Sequence, residues 1–126
     1  MSEQDRKLET VTTVKDPSQP ILTIIHFNDV YDIQPKYGSR GVCNFKAQLE
    51  DLRKQYPDAI TLFSGDCMSP STLTNIKEGW QMVHCLLTLN IDVACYGNHE
   101  FDFEIEHTLK LTKACNFPWL LGNITY

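Results

Sequence analysis

The sequence has no apolar stretch that approaches the roughly 20 residues a membrane-spanning helix needs. Its polar first twenty residues have no apolar middle region of the kind that marks a secretory signal. Eleven basic residues stand against sixteen acidic ones, the net charge is −5, and the basic residues form no cluster. We therefore expect a cytoplasmic protein that has no membrane partner and does not bind nucleic acid.

The sequence also has no Cys-x-x-Cys pair, and its five cysteines are an odd number. This usage argues against a disulfide framework and against a structural zinc site, so we expect reduced thiols. Cys67, next to Asp66, is a candidate for oxidation sensing or soft-metal binding. Packing as a small apolar side chain is the alternative for Cys67.

Length and composition predict a single small domain. The chain has 126 residues, of which 42% are hydrophobic and 21% charged, as in ordinary globular proteins. Residues 1–20 are polar, and Pro17 and Pro20 prevent regular structure from continuing into the next segment. We predict a disordered tail at 1–20 and a folded domain at 21–126.

Short apolar runs alternate with helical patterns along the domain. Four runs predict strands, because they are rich in β-branched or aromatic residues: ILTIIHF (21–27), AITLFS (59–64), DVACYG (92–97) and PWLLGN (118–123). Their continuous hydrophobicity predicts strands covered on both faces. Three helical stripes lie between them: Phe45, Leu49, Leu52 and Tyr56; Trp80, Val83, Leu86, Leu87 and Asn90; Ile105, Leu109 and Ala114. The order predicts an α/β fold of about four parallel strands with flanking helices.

Polar motifs follow three of the predicted strands directly. They are HFND at 26–29, SGD at 64–66 and GNHEFD at 97–102. Loops at the carboxyl ends of parallel strands converge on one crevice, so we expect Asp29, Asp66, Asn98 and His99 to lie together. Two carboxylates, an amide and an imidazole suit divalent metal ions and phosphoryl chemistry.

Each acidic residue of these motifs also has a structural interpretation. Asp29 or Asp66 taken alone is more often a turn residue than a ligand. Asp102 lies three residues after His99, where its carboxylate can fix the imidazole tautomer, or it can cap the following helix. Glu100 and Glu104 are expected to be solvated or to interact with a helix dipole.

Together with LLGNI at 120–124, the three motifs resemble the amino-terminal part of the calcineurin-like metallophosphoesterases, specifically the 5′-nucleotidase branch. The resemblance covers residues 21–126. It implies one half of a metallophosphoesterase sandwich. It also implies metal-dependent hydrolysis of phosphate monoesters, with a nucleotide as the favoured substrate.

The resemblance further implies a set of site residues. Asp66 would bridge two divalent ions, Asp29 would bind the first ion and Asn98 the second. The metal could be zinc, manganese, magnesium, cobalt or iron. His99 and Asp102 match the catalytic pair of the family.

The chain departs from the family pattern at Tyr31, where the family has a histidine two residues after the first aspartate. The Tyr31 hydroxyl could take the vacated coordination position, which would suit a more oxidised metal. Alternatively, that position is left to water or to Asp32, and Tyr31 is an aromatic residue packed beside the site.

A second departure is that the GHxH segment of the family does not occur in this sequence. The alternative function is therefore a catalytically incomplete fragment or short isoform, without the later metal-binding histidines and the substrate domain. A phosphate-binding module without chemistry ranks last, because no glycine-rich loop follows strand one. An incomplete sheet would also leave apolar surface uncovered and predicts association.

Overall fold

A computed structural model of the chain describes residues 9–11, 22–35 and 40–124. These parts contain five strands and four α-helices, and four of the strands and three of the helices follow the alternating order that the sequence predicts for an α/β fold. They are β1 (Glu9–Val11), β2 (Ile24–Phe27), α1 (Gly41–Gln55), β3 (Ile60–Phe63), α2 (Thr74–Lys77), α3 (Trp80–Thr88), β4 (Val93–Cys95), α4 (Ile105–Lys113) and β5 (Trp119–Leu120). A 3₁₀ turn at His99–Phe101 follows β4.

One sheet holds the strands in the order β1-β2-β3-β4-β5. Strands β2 to β5 are parallel, which confirms the prediction of four parallel strands, and β1 pairs antiparallel with β2. Strand β1 lies inside the segment predicted as a disordered tail, so that prediction is wrong for Glu9–Val11, and the rest of the segment lies outside the described residues. Strand β1 pairs with the free backbone N–H and C=O groups at the edge of β2, and the polar side chains of this segment give no sign of such backbone pairing.

The connections explain why one face of the sheet is buried. From β2 to β5, each strand lies next to the preceding one, and the direction across the sheet does not change. Right-handed crossovers then place all the connecting helices on one face. The buried core contains residues from this face and from the helices over it: Ile25, Phe27, Leu49, Phe63, Met82, Val83, Leu86, Ala94 and Leu111.

The opposite face of the sheet is apolar and only partly covered. Ile24, Leu62 and Val93 are half-buried, and Ile60 and Leu120 are exposed, Leu120 to 54%. The prediction that both faces are covered is therefore wrong for the described residues. Strands that add in one direction leave the second face without a helix, and this face is where we expect association.

The exposed side of α4 is the reverse of the prediction. Ile105 and Leu109, predicted to face the core, are 53% and 42% exposed, while Thr108 and Leu111 are buried. The Thr108 hydroxyl donates a hydrogen bond of 2.6 Å to the carbonyl oxygen of Glu100, which ties this side of the helix to the 3₁₀ turn. A satisfied hydroxyl can be buried at little cost, so a polar residue occupies the inner face.

In the other two helices, most of the residues predicted to face the core do so. Leu49 of α1 is buried, and Phe45 and Leu52 pack against the core as predicted. In α3, Val83 is buried as the helical stripe predicts, but Trp80 of the same stripe is 39% exposed. No helix among the described residues has the length and apolarity that a bilayer crossing requires.

Candidate metal centre

The predicted site loops meet at the carboxyl edge of the sheet. Phe27 of β2 is in register with Phe63 of β3, so both strands end at the same level. The Ser64 N–H donates to the Phe27 carbonyl oxygen at 3.0 Å, and the Asp29 N–H donates to the Gly65 carbonyl oxygen at 3.1 Å. The loops after β2 and β3 are thus joined through their backbones.

Both aspartates of these loops have a backbone conformation that L-residues rarely adopt. The φ angle is 58° at Asp29 and 64° at Asp66. This left-handed region costs a residue with a Cβ about 1–2 kcal/mol relative to glycine, although aspartate tolerates it better than most. A turn alone would be served by glycine, so the conformation favours a role for the carboxylates themselves.

The third loop, which follows β4, contacts Asp66 directly. Asp66 Oδ1 accepts a hydrogen bond of 2.9 Å from the His99 backbone N–H. Gly97 allows this approach, because a Cβ at that position would lie 2.1 Å from Asp66 Oδ1. Asn98 lies between Gly97 and His99 in the sequence, and its side chain is exposed. The structure therefore brings together the loops of Asp29, Asp66, Asn98 and His99.

Glu100 holds the second and third loops together. Its side chain is fully buried, which corrects the prediction of a solvated residue. Oε2 accepts from the N–H groups of Asp66 at 2.8 Å and Gly97 at 2.7 Å, and Oε1 accepts from Cys67 at 2.8 Å and Met68 at 3.4 Å. A buried carboxylate is stable when backbone donors surround it in this way.

The sequence carries only part of a local signal for this role of Glu100. In a capping box, a glutamate reaches back to the N–H of a Ser or Thr three residues earlier, and here the residue at that position is Gly97. Glu100 does this to Gly97. The remaining donors come from the loop after β3, more than thirty residues away, and have no local signal.

His99 and Asp102 form a hydrogen-bonded pair. His99 Nδ1 lies 2.7 Å from Asp102 Oδ2. This bond raises the pKa of His99 above its ordinary value of 6.5 and lowers the pKa of Asp102 below 3.8. Asp102 is not the cap of α4, whose N-cap residue is Glu104. The pair leaves His99 Nε2 as the nitrogen that can serve a ligand.

Tyr31 lies between the first and third loops. Its hydroxyl donates a hydrogen bond of 2.6 Å to Asp29 Oδ1, and the Asn28 side-chain amide donates to Asp29 Oδ2. The Tyr31 ring meets the His99 ring edge to face, with 5.6 Å between centroids and 89° between planes.

The donor set fits divalent metal ions in type but not in number. Among the described residues, no hydrogen bond uses Asp66 Oδ2 or the Asn98 side-chain oxygen, so both are available as ligands. Carboxylate and amide oxygens suit hard divalent cations. However, within these residues no three His, Cys, Asp or Glu side chains are grouped closely enough to hold a metal ion.

The other three histidines and Cys67 lie outside the site or have structural roles. His26 Nε2 lies 2.6 Å from Ser64 Oγ, His84 is exposed on α3, and His107 Nε2 lies 2.7 Å from the Glu78 carbonyl oxygen. Burial, with the nearby carboxylate, raises the pKa of Cys67 well above 9.0, so its thiol stays protonated. This environment favours packing over redox sensing for Cys67.

Comparison with known proteins shows that the chain is similar to 5′-nucleotidases from several organisms. The chain is 32% identical over 117 residues to a snake venom 5′-nucleotidase from Crotalus adamanteus and 28% identical over 116 residues to human 5′-nucleotidase. Each match covers 82% of this chain and 20% of the relative. The chain thus spans about one fifth of the length of these curated relatives. No family model matches the chain.

Solved structures give the same result for the fold. The Haemophilus influenzae NAD nucleotidase has a TM-score of 0.70 and 28% identity, with 79% of this chain and 20% of that chain covered. A calcineurin-like phosphoesterase from Bacillus subtilis has a TM-score of 0.61 at 16% identity, with 79% of this chain and 36% of that chain covered. The fold is therefore that of these phosphoesterases.

Proposed function

We propose that this chain, which is similar to about one fifth of the length of 5′-nucleotidases, belongs to the amino-terminal part of the 5′-nucleotidase branch of the calcineurin-like metallophosphoesterases and forms the metal-binding edge of a nucleotide-directed phosphate monoester hydrolase. The observation that carries the proposal is the contact of three strand-end loops at one edge of the sheet. There the His99 N–H binds Asp66 Oδ1, and the Asp29 N–H binds the Gly65 carbonyl oxygen.

In this proposal, Asp66 would be a ligand shared by two divalent metal ions, Asp29 would be a ligand of the first and Asn98 of the second. Such ions, when bound, supply activation of water as a nucleophile and neutralisation of charge on the phosphoryl oxygens. The left-handed backbone at Asp29 and Asp66 directs both side chains from short, hydrogen-bonded loops. This rigidity would support ligand geometry.

His99 then acts as the acid that protonates the departing alkoxide or stabilises the transferred group. Its hydrogen bond to Asp102 raises its pKa and so favours the protonated imidazolium, the form that donates a proton. Because Nδ1 is occupied by Asp102, the proton is donated from Nε2.

The second candidate is a catalytically incomplete form that binds metal weakly and does not turn over. It is favoured by the lack, within the described residues, of a group of three close acidic, histidine or cysteine ligands. Zinc sites commonly use about four ligands and magnesium sites about six, so these two carboxylates and one amide leave either shell incomplete.

Calorimetric titration with manganese and zinc, together with hydrolysis of AMP and an aryl phosphate, separates the two candidates. Catalysis predicts turnover that His99→Ala abolishes and that His84→Ala, at an exposed histidine of α3, leaves unchanged. Weak binding without turnover identifies the incomplete form. Binding of two ions that Asp66→Asn weakens together supports bridging, and loss of only one ion contradicts it.

A further inference from the structure

We propose that Tyr31 is a positioning residue that holds Asp29 and His99 in fixed relation and is not itself a metal ligand. The proposal rests on the proposed metal site, in which Asp29 is a ligand and His99 the acid. Tyr31 stands where the family pattern has a histidine, and the sequence by itself leaves its role there open.

The hydrogen bond to Asp29 argues against direct coordination by Tyr31. At 2.6 Å, the distance from the Tyr31 hydroxyl to Asp29 Oδ1 is in the range of an O–H···O⁻ bond. An ionised carboxylate is only an acceptor, so the proton of this bond comes from the phenol. Coordination as a phenolate would require loss of that proton and with it the hydrogen bond.

The same bond orients Asp29 for its own role. The Asn28 amide donates to the other carboxylate oxygen, so both oxygens of Asp29 are held. A carboxylate oxygen can accept more than one partner, so each oxygen of Asp29 still has a lone pair with which it can bind a cation. Partners of this kind fix the direction of a ligand and raise the affinity of a metal site.

The aromatic ring of Tyr31 restricts His99. The two rings are nearly perpendicular, with their centroids 5.6 Å apart, which is a favourable aromatic geometry. Asp102 holds His99 at Nδ1 and Tyr31 contacts the ring itself, so the imidazole is restrained at two places. One side chain therefore contacts both a proposed ligand and the proposed acid.

Two variants separate the hydroxyl from the ring. Tyr31→Phe removes only the hydrogen bond, and Tyr31→Leu also removes the ring contact. Tyr56→Phe is the matched control, because Tyr56 is a half-buried tyrosine at the end of α1, away from the site loops. The measurements are manganese affinity and stoichiometry by calorimetry, the His99 ring proton shifts in metal-free protein by NMR, and the visible spectrum with ferric ion.

We expect Tyr31→Phe to weaken manganese binding about tenfold without changing the number of bound ions. It should leave the His99 resonances in place, whereas Tyr31→Leu should shift them through the lost ring current. The wild-type protein with ferric ion should have no phenolate-to-iron charge-transfer band. Tyr56→Phe should match the wild-type protein in all three measurements.

Other results would overturn the proposal. A charge-transfer band that disappears in Tyr31→Phe, or one fewer bound ion in that variant, would make Tyr31 a ligand. Unchanged manganese affinity in Tyr31→Phe, or unmoved His99 resonances in Tyr31→Leu, would reduce Tyr31 to packing. If wild-type protein binds no manganese, the proposed function fails by itself, and the metal-free NMR comparison still decides whether the Tyr31 ring lies against His99.

Discussion

The replacement of Glu100 by glutamine tests how the two site loops are held together. The buried carboxylate accepts four backbone N–H groups, two at each oxygen: those of Asp66 and Gly97 at Oε2, and those of Cys67 and Met68 at Oε1. Glutamine has one carbonyl oxygen and one amide group. Its oxygen can keep one pair of donors, but its NH₂ then faces the other pair and repels them.

The expected loss in the free energy of unfolding follows from these bonds. A hydrogen bond to a charged group contributes about 1.5–3 kcal/mol, and a buried donor without an acceptor costs about 1–3 kcal/mol. One of the bonds that Glu100→Gln loses is long, at 3.4 Å for Met68, so it contributes less than the 2.8 Å bond of Cys67. We expect destabilisation of about 3–5 kcal/mol, a large share of the 5–15 kcal/mol typical of a domain.

Urea unfolding followed by circular dichroism measures this change. The matched control is Glu104→Gln, because Glu104 is exposed and makes no side-chain capping bond, and the change there should stay within about 0.5 kcal/mol. A loss of less than about 1 kcal/mol in Glu100→Gln would refute the conclusion that the carboxylate joins the loops. The metal affinity of Glu100→Gln should fall as well, because the loop that carries Asp66 loses its hydrogen bonds at Cys67 and Met68.

Three further outcomes are expected. Gly97→Ala should abolish metal binding and lower the melting temperature, because its Cβ would lie 2.1 Å from Asp66 Oδ1. A calorimetric metal affinity equal to that of the wild-type protein would contradict this expectation. In metal-free protein, NMR titration should give His99 a pKa above 6.5 that falls in Asp102→Asn, and an unshifted His99 would contradict the pairing. The pair stabilises the fold fully between about pH 3.8 and pH 6.5, and its contribution is lost as pH rises through the folded pKa of His99 or falls through the lowered pKa of Asp102. Sedimentation should show that the protein self-associates through the partly covered sheet face, and Leu120→Lys should weaken this association. A wild-type protein that stays monomeric at high concentration would contradict the expectation.

Much of the fold and the position of the site could be predicted from the sequence. The strands were predicted because continuous apolar runs with branched or aromatic residues have few other uses in a soluble chain. The α1 stripe was predicted for a similar reason, since Phe45, Leu49 and Leu52 share one helix face. The motifs after each strand predicted which loops would meet, because parallel strands have their carboxyl ends at one edge.

The remaining features depended on the tertiary structure. Periodicity says that a helix has an apolar side, but the chain path decides which side is covered, and so α4 buries Thr108 and exposes Ile105. Tyr31 was a candidate ligand by position, and its hydrogen bond to Asp29 became evident only from their geometry. The sequence predicted Glu100 to be solvated or to interact with a helix dipole, and it is buried because donors from a distant loop converge on it. Local pattern determines what a segment forms, whereas the cost of burying a polar group depends on partners that only the folded chain brings near.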